Sequence, residues 1–197
     1  MNVPSQLSDH GFLASAAACF AACGYDATSI ARIADCTGLS EAAICGIYGN
    51  KSNLFLAVFD WYFPRMLMAR IQKHEAERSP TEAILAVLEE ATAACLSQEP
   101  YTPYRLLQVA LEASVSSTVA RKAVSAALCE IEAFFYRCIL ASQHSGHLRN
   151  TQRAEDLAKL VLGVLVSTEL LVNISPELSS IEDVMRPILA MLRETGN

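Results

Sequence analysis

The sequence predicts an all-α fold, on three observations. Ala and Leu are abundant while aromatic residues make up 7% of the 197 positions, a balance that favours helices over strands. Apolar residues recur three and four positions apart, and almost nothing alternates with the period of two that a strand needs. Gly, Pro and capping hydroxyl residues then divide the chain into pieces of helical length.

Taken in order, residues 7–23 form the first predicted helix, with Phe12, Leu13, Ala16, Phe20 and Cys23 on one face and Gly24 as its stop. Thr28 or Ser29 caps a short helix that ends near Cys36; Thr37, Gly38 and Leu39 make a turn, and Ser40 caps a second short helix that ends near Tyr48. Gly49 and Asn50 break the chain again. A longer helix follows over 52–77, and Pro64 inside it predicts a kink or a break after Phe63. Ser79, Pro80 and Glu82 have the spacing of a capping box with Pro at the first helical position, so a helix starts there and reaches about Leu96. The rigid Pro100 to Pro103 connector leads to a helix from about Tyr104 to Ala113. Ser116 or Ser117 caps the next, which ends near Ser142. His144 to Asn150 reads as a polar loop, and helices over about 151–174 and 180–194 complete the chain.

A chain of this length buries a core without staples. The net charge of -6, from 15 Lys and Arg against 21 Asp and Glu, gives no global attraction to phosphate polymers or anionic membranes. Seven cysteines form an odd set with no C-x-x-C pair and no zinc-like spacing, so they read as free thiols in a reducing cytosol. Cys19 and Cys23 stand one helical turn apart as a candidate redox pair, with Cys19 at a core position and Cys23 and Cys45 expected to be the more exposed thiols. The stretch Phe20 to Gly24 loosely resembles a lipoprotein cleavage site, but Met1 to Gly11 holds no Lys or Arg, so a folded helix is expected. Leu157 to Ile174 is interrupted by Lys159, Glu169 and Asn173 and reads as a buried helix or subunit interface, not a membrane span. A soluble, cytoplasmic protein is expected, with no membrane partner.

Two short helices joined by a Gly-containing turn have the geometry of a helix-turn-helix. In that arrangement the second helix enters the major groove of DNA, while helix N-termini hold phosphates. The run Phe12, Leu13, Ala16, Phe20, Gly24, Tyr25, Thr28, Ser29, Ile30, Ile33, Ala34, Gly38, Leu39, Ser40, Ile44, Tyr48, Lys51 and Leu54 resembles, without a gap, the N-terminal domain of the tetracycline-repressor (TetR) family. The resemblance implies a three-helix DNA-binding domain over 1–51, followed by a helical ligand-binding and dimerisation domain over 52–197. It further implies a ligand-responsive dimeric regulator, a repressor of palindromic operator DNA, and no enzyme. By the same resemblance Thr28, Ser29 and Lys51 hold the DNA backbone, and Ser40, Glu41, Ala42 and Ala43 begin the recognition helix. Arg32 projects between the core positions Ile30 and Ile33.

Several residues depart from the family pattern. Cys45, Gly46 and Ile47 stand where an aromatic residue and a polar or aromatic one are usual, and Glu41 stands where a basic or polar residue is common. Up to Lys51 the cations are Arg32 and Lys51 and the anions Asp9, Asp26, Asp35 and Glu41, which predicts weak affinity for DNA and a shallow salt dependence. The alternative is a TetR-like scaffold that has lost strong DNA binding and serves as a small-molecule-binding or protein-interaction module.

A sensing domain needs an apolar cavity with a few polar groups. Trp61, Tyr62, Met66, Tyr101, Tyr104, Gln108, Glu112, Phe134, Phe135 and Arg137 are the candidates for a small hydrophobic or amphipathic effector. Ordinary core packing is the alternative for each, and a surface ion pair for Glu112 with Arg137. The last two helices, with Leu157, Leu160, Val161, Val164, Leu165 and Leu171, then Ile181, Val184, Ile188, Leu189 and Leu192, have apolar faces broad enough to pair across a two-fold axis into a homodimer. No cofactor or metal is expected. His144 and His147 lie in a polar loop without clustered acidic ligands, and no Gly-x-Ser-x-Gly elbow, P-loop or dinucleotide fingerprint occurs.

Overall fold

A computed structural model describes residues 9–96, 103–149, 151–174, 186–188 and 190–192. Every regular element among them is helical: α1 (Asp9–Cys23), α2 (Ile30–Thr37), α3 (Glu41–Tyr48), α4 (Lys51–Tyr62), a π-helical segment (Phe63–Met68), α5 (Ala69–Glu77), α6 (Pro80–Leu96), α7 (Pro103–Ser116), α8 (Thr118–His144) and α9 (Ala154–Ile174). Residues 186–188 and 190–192 of the final predicted helix are also helical. The rest of that helix lies outside the described residues.

The caps explain the boundaries. Ser29 caps α2, Ser40 caps α3 and Ser117 caps α8, each by accepting from a backbone N–H three residues on. At Ser79 both halves of the capping box are made: the Glu82 carboxylate accepts from the Ser79 N–H at 3.1 Å, and the Ser79 hydroxyl oxygen accepts from the Glu82 N–H at 3.4 Å while donating to the carboxylate at 2.7 Å. Gly24 and Gly38 stop α1 and α2 at φ +79° and +74°, which only glycine adopts without strain. The helix predicted over 52–77 is interrupted where Pro64 foretold. Pro64 has no N–H to give and crowds the carbonyl one turn back, and the backbone there widens into a π register before returning to α at Ala69.

The chain divides into two compact units. The first comprises residues 1–67 and 100–125, the second 68–99 and 126–197. In the first, α1 packs on α2, α4 and α7, and α3 on α2 and α4. Its core is aromatic. The Phe55 ring meets Phe20 and Tyr25 edge-on at 5.0 and 5.2 Å, and Phe59 continues the stack. Ile33, Ile44 and Leu54 are fully buried around it. Phe20 and Ala21, from the stretch that resembles a cleavage site, are buried in this core within α1. Arg105 of α7 donates to the Ala21 carbonyl at 3.2 Å, and a Cβ on Gly24 would stand 3.2 Å from the Glu112 carboxylate.

In the second unit α6 packs on α5 and α9. Glu90 binds Arg70 at 2.7 Å and lies 3.0 Å from the buried His74, tying α5 to α6. Buried Thr81 donates to Ser142 at 2.8 Å, joining the start of α6 to the end of α8. Leu157, Ala158, Val161 and Leu165 of α9 are buried within the unit, while Leu160 is 46% exposed. Of the residues predicted for subunit pairing, Leu157, Val161, Leu165, Ile188 and Leu192 are thus buried, and the side chains of Leu171, Ile181, Val184 and Leu189 lie outside the described residues. Among the described residues no helix is long and apolar enough to cross a membrane.

Candidate nucleic-acid interface

Three local features set α3 in place. The Gly38 N–H bonds to the Ala34 carbonyl at 2.8 Å, so α2 ends in a tight left-handed turn and α3 starts at Glu41, three residues after Gly38. Ile44 is the buried anchor of α3, and Tyr48 stacks on Phe12 of α1 at 5.6 Å. Around Ile44 the residues Glu41, Ala42, Ala43, Cys45, Gly46 and Ile47 are all exposed. A short helix is thus held on one side and left bare on the other.

The bare face is small and almost neutral. A Cβ built on Gly46 meets nothing, and Ile47 is 68% exposed. Glu41 lies in the first turn of α3, where its negative charge suits the helix dipole but opposes a phosphate. The side-chain cap at Ser40 satisfies the Ala43 N–H, and the amides of Glu41 and Ala42 are in the first turn that an anion approaches. Exposed Ser29 and Arg32 stand at the start of α2, beside Ala27, Ala31, Asp35 and Cys36 around an open depression of about 550 Å3.

Two of the residues matched to DNA-backbone contacts are engaged inside the protein. Thr28 is fully buried, and its hydroxyl donates to the Gly24 carbonyl at 2.6 Å. It braces the loop between α1 and α2. The Lys51 ammonium donates to the Tyr25 and Asp26 carbonyls at 3.0 and 3.4 Å and lies 4.4 Å over the Tyr25 ring. That leaves Arg32 as the exposed cation of α2 and α3.

The effector candidates divide between the two units. In the first unit Tyr104 and Gln108 are buried, with the Gln108 carbonyl accepting from Arg105 at 2.9 Å. Trp61 donates to His10 at 2.8 Å and carries Arg65 over its ring. Tyr62 is half-buried, and Met66 and Glu112 are exposed. In the second unit Phe134 and Phe135 are packed against each other with no exposure. Arg137 forks onto Glu75 with two 2.9 Å bonds, so its partner is Glu75 and not Glu112. Tyr101 lies outside the described residues.

Sequence reasoning missed Asn50, Tyr25 and Cys36. Asn50 caps α4 through the Asn53 N–H at 2.9 Å, and the Asn50-x-x-Asn53 spacing was the available signal. Tyr25 is the seat of Lys51, and Cys36 reaches solvent on the α2 face that carries Arg32.

Taken together, a tightly turned pair of short helices on an aromatic three-helix core, carried on a longer helical chain, defines a helix-turn-helix protein. Residues 12–58 match the family described as Bacterial regulatory proteins, tetR family. The HTH-type transcriptional repressor AcnR of Corynebacterium jeikeium is 48% identical over 46 residues, 23% of this chain and 24% of that protein. AcnR of Corynebacterium glutamicum is 35% identical over 78 residues, 40% of this chain and 39% of that protein. The similarity thus spans less than half the length of these relatives. The fold extends further. The TetR family regulator CifR, solved as a cysteine mutant with 26-bp operator DNA, superposes with a TM-score of 0.76 at 19% identity, covering 98% of this chain and 100% of that one. The SmeT–triclosan complex superposes with a TM-score of 0.72 at 19% identity, covering 93% and 88%.

Proposed function

We propose that this protein is a ligand-responsive dimeric transcriptional repressor that binds palindromic operator DNA in the cytoplasm. Residues 1–51 form the DNA-binding domain and 52–197 the effector-binding and dimerisation domain. The observation that carries the reading is the outward face of α3, anchored by Ile44 and by Tyr48 on Phe12 and bare at Glu41, Ala42, Ala43, Cys45, Gly46 and Ile47. A helix held in this way fits the major groove, with Ala42, Ala43, Cys45 and Gly46 against base edges and Ser29, Arg32 and Ser40 against the backbone. Thr28 and Lys51 support that surface from beneath, because their polar groups already bind the loop between α1 and α2.

Binding rests on few charges, so uncharged amide and hydroxyl contacts and the avidity of two subunits supply the rest. The effector is a small hydrophobic or amphipathic molecule, with Trp61, Tyr62, Met66, Tyr101, Tyr104, Gln108, Glu112, Phe134, Phe135 and Arg137 as candidate contacts. The triclosan complex of SmeT, a protein of the same fold, supports an effector of that character. The dimer forms through α9 and the final predicted helix.

The internal engagement of Lys51 favours a second reading, a scaffold that no longer grips DNA and acts as a small-molecule-binding or protein-interaction module. A mobility-shift assay at low salt with the DNA upstream of the protein's own coding sequence separates the two. A shift at or below micromolar dimer is expected; its absence overturns the repressor reading.

A further inference from the structure

Two cysteines far apart in sequence meet in the helix-turn-helix unit. Cys36, in the last turn of α2, places its Sγ 3.4 Å from the Sγ of Cys19 on α1, 17 positions away in the chain. Cys19 is buried and Cys36 is exposed. The pair is therefore a core thiol in sulfur contact with a thiol that solvent reaches, through the depression shared with Ser29 and Arg32. A disulfide needs about 2.05 Å between sulfurs, so side-chain rotation and a small slide of the end of α2 close the distance. α2 ends one residue later, at Thr37, followed by the left-handed Gly38, so the backbone at Cys36 is close to a helix end that yields to such a slide.

We propose that Cys19 and Cys36 form a dithiol site that a hydroperoxide converts to a disulfide linking α1 to α2. The Cys36 sulfur attacks the peroxide oxygen; the O–O bond breaks, the alcohol (water, from hydrogen peroxide) leaves with the thiol proton, and Cys36 becomes a sulfenic acid. The Cys19 sulfur then attacks the Cys36 sulfur, the S–O bond breaks, and the hydroxyl leaves as water with the Cys19 proton. Two thiols lose two electrons and the peroxide gains them. The order follows from accessibility. Burial, together with the hydrogen bond from Cys36, pushes the Cys19 thiol up to about 12, so it stays protonated and waits for the second step. Cys138, in the other unit, is also pushed up to about 12, chiefly by burial, and is a poor competitor.

The link acts on the helix that carries Ser29 and Arg32, so on the DNA-binding reading it makes that contact surface sensitive to oxidant. The site itself is tested without DNA, which keeps its failure distinct from the failure of that reading. Full-length reduced protein is treated with stoichiometric hydrogen peroxide, alkylated under denaturing conditions, digested without reductant and mapped by mass spectrometry. The expected product is a Cys19 peptide joined to a Cys36 peptide with the loss of two hydrogens, reversed by dithiothreitol and retained in Cys23→Ser. The exposed-site variant Cys36→Ser should keep its helical circular dichroism and leave Cys19 alkylatable. A Cys19–Cys23 link, a Cys36–Cys36 link between chains, or a Cys36 sulfinic acid beside an alkylatable Cys19 would overturn the proposal.

Discussion

Arg32 and Gly46 are the residues at which the proposed interface is most easily altered. With Lys51 held by the Tyr25 and Asp26 carbonyls, Arg32 carries most of the attraction to phosphate. Arg32→Ala should weaken binding evenly across DNA sequences and reduce the slope of log affinity against log salt by about 1. Filter binding over a salt series checks this, and an unchanged slope would remove Arg32 from the interface. Gly46 has open space where a Cβ would stand. Gly46→Ala should therefore stabilise α3 by about 1 kcal/mol through lower backbone entropy in the unfolded chain, read as a higher denaturation midpoint with an unchanged m-value. Neither residue's importance comes from hydrophobic pattern. Arg32 was legible as a cation between two core positions, whereas the diversion of Lys51 was not, because its acceptors belong to a loop 26 positions away in the chain.

At the scale of elements, boundaries follow local chemistry and were largely readable. Ser79 and Glu82 illustrate why. The Glu82 carboxylate accepts the Ser79 hydroxyl and N–H, and these two hydrogen bonds hold its pKa below the usual carboxylate range. Because the folded value is the lower one, the capping box stabilises α6 fully above the unfolded carboxylate pKa and loses that effect as pH falls through the folded value. Ser79→Ala should lower the melting temperature at neutral pH and by less under acid conditions. An equal loss at both pH values would show that the Glu82 carboxylate takes no part in the cap. The Pro64 interruption was also legible. Its form was not: a missing N–H announces a defect, but not that the chain takes a π register in which Phe63 and Leu67 are both buried.

For the whole molecule, the proposed dimer is tested on α9. Leu157, Val161 and Leu165 of α9 are committed to the protomer's own core, which leaves Leu160 as a large apolar side chain exposed on that helix. Leu160→Glu should shift the protein from dimer towards monomer in sedimentation velocity without changing its helix content; an undisturbed dimer would move the interface off α9. By itself the sequence determined the helical class, the order of elements and the N-terminal family match, because glycine turns, serine caps and apolar spacing all act over a few residues. Tertiary structure decided which side chains remain available. It turned Thr28 inward, seated Lys51 on Tyr25, brought Cys36 to Cys19 and gave Arg137 to Glu75 across 62 positions. Periodicity tells which face of a helix is buried, but a polar side chain chooses its partner only when distant segments are packed together.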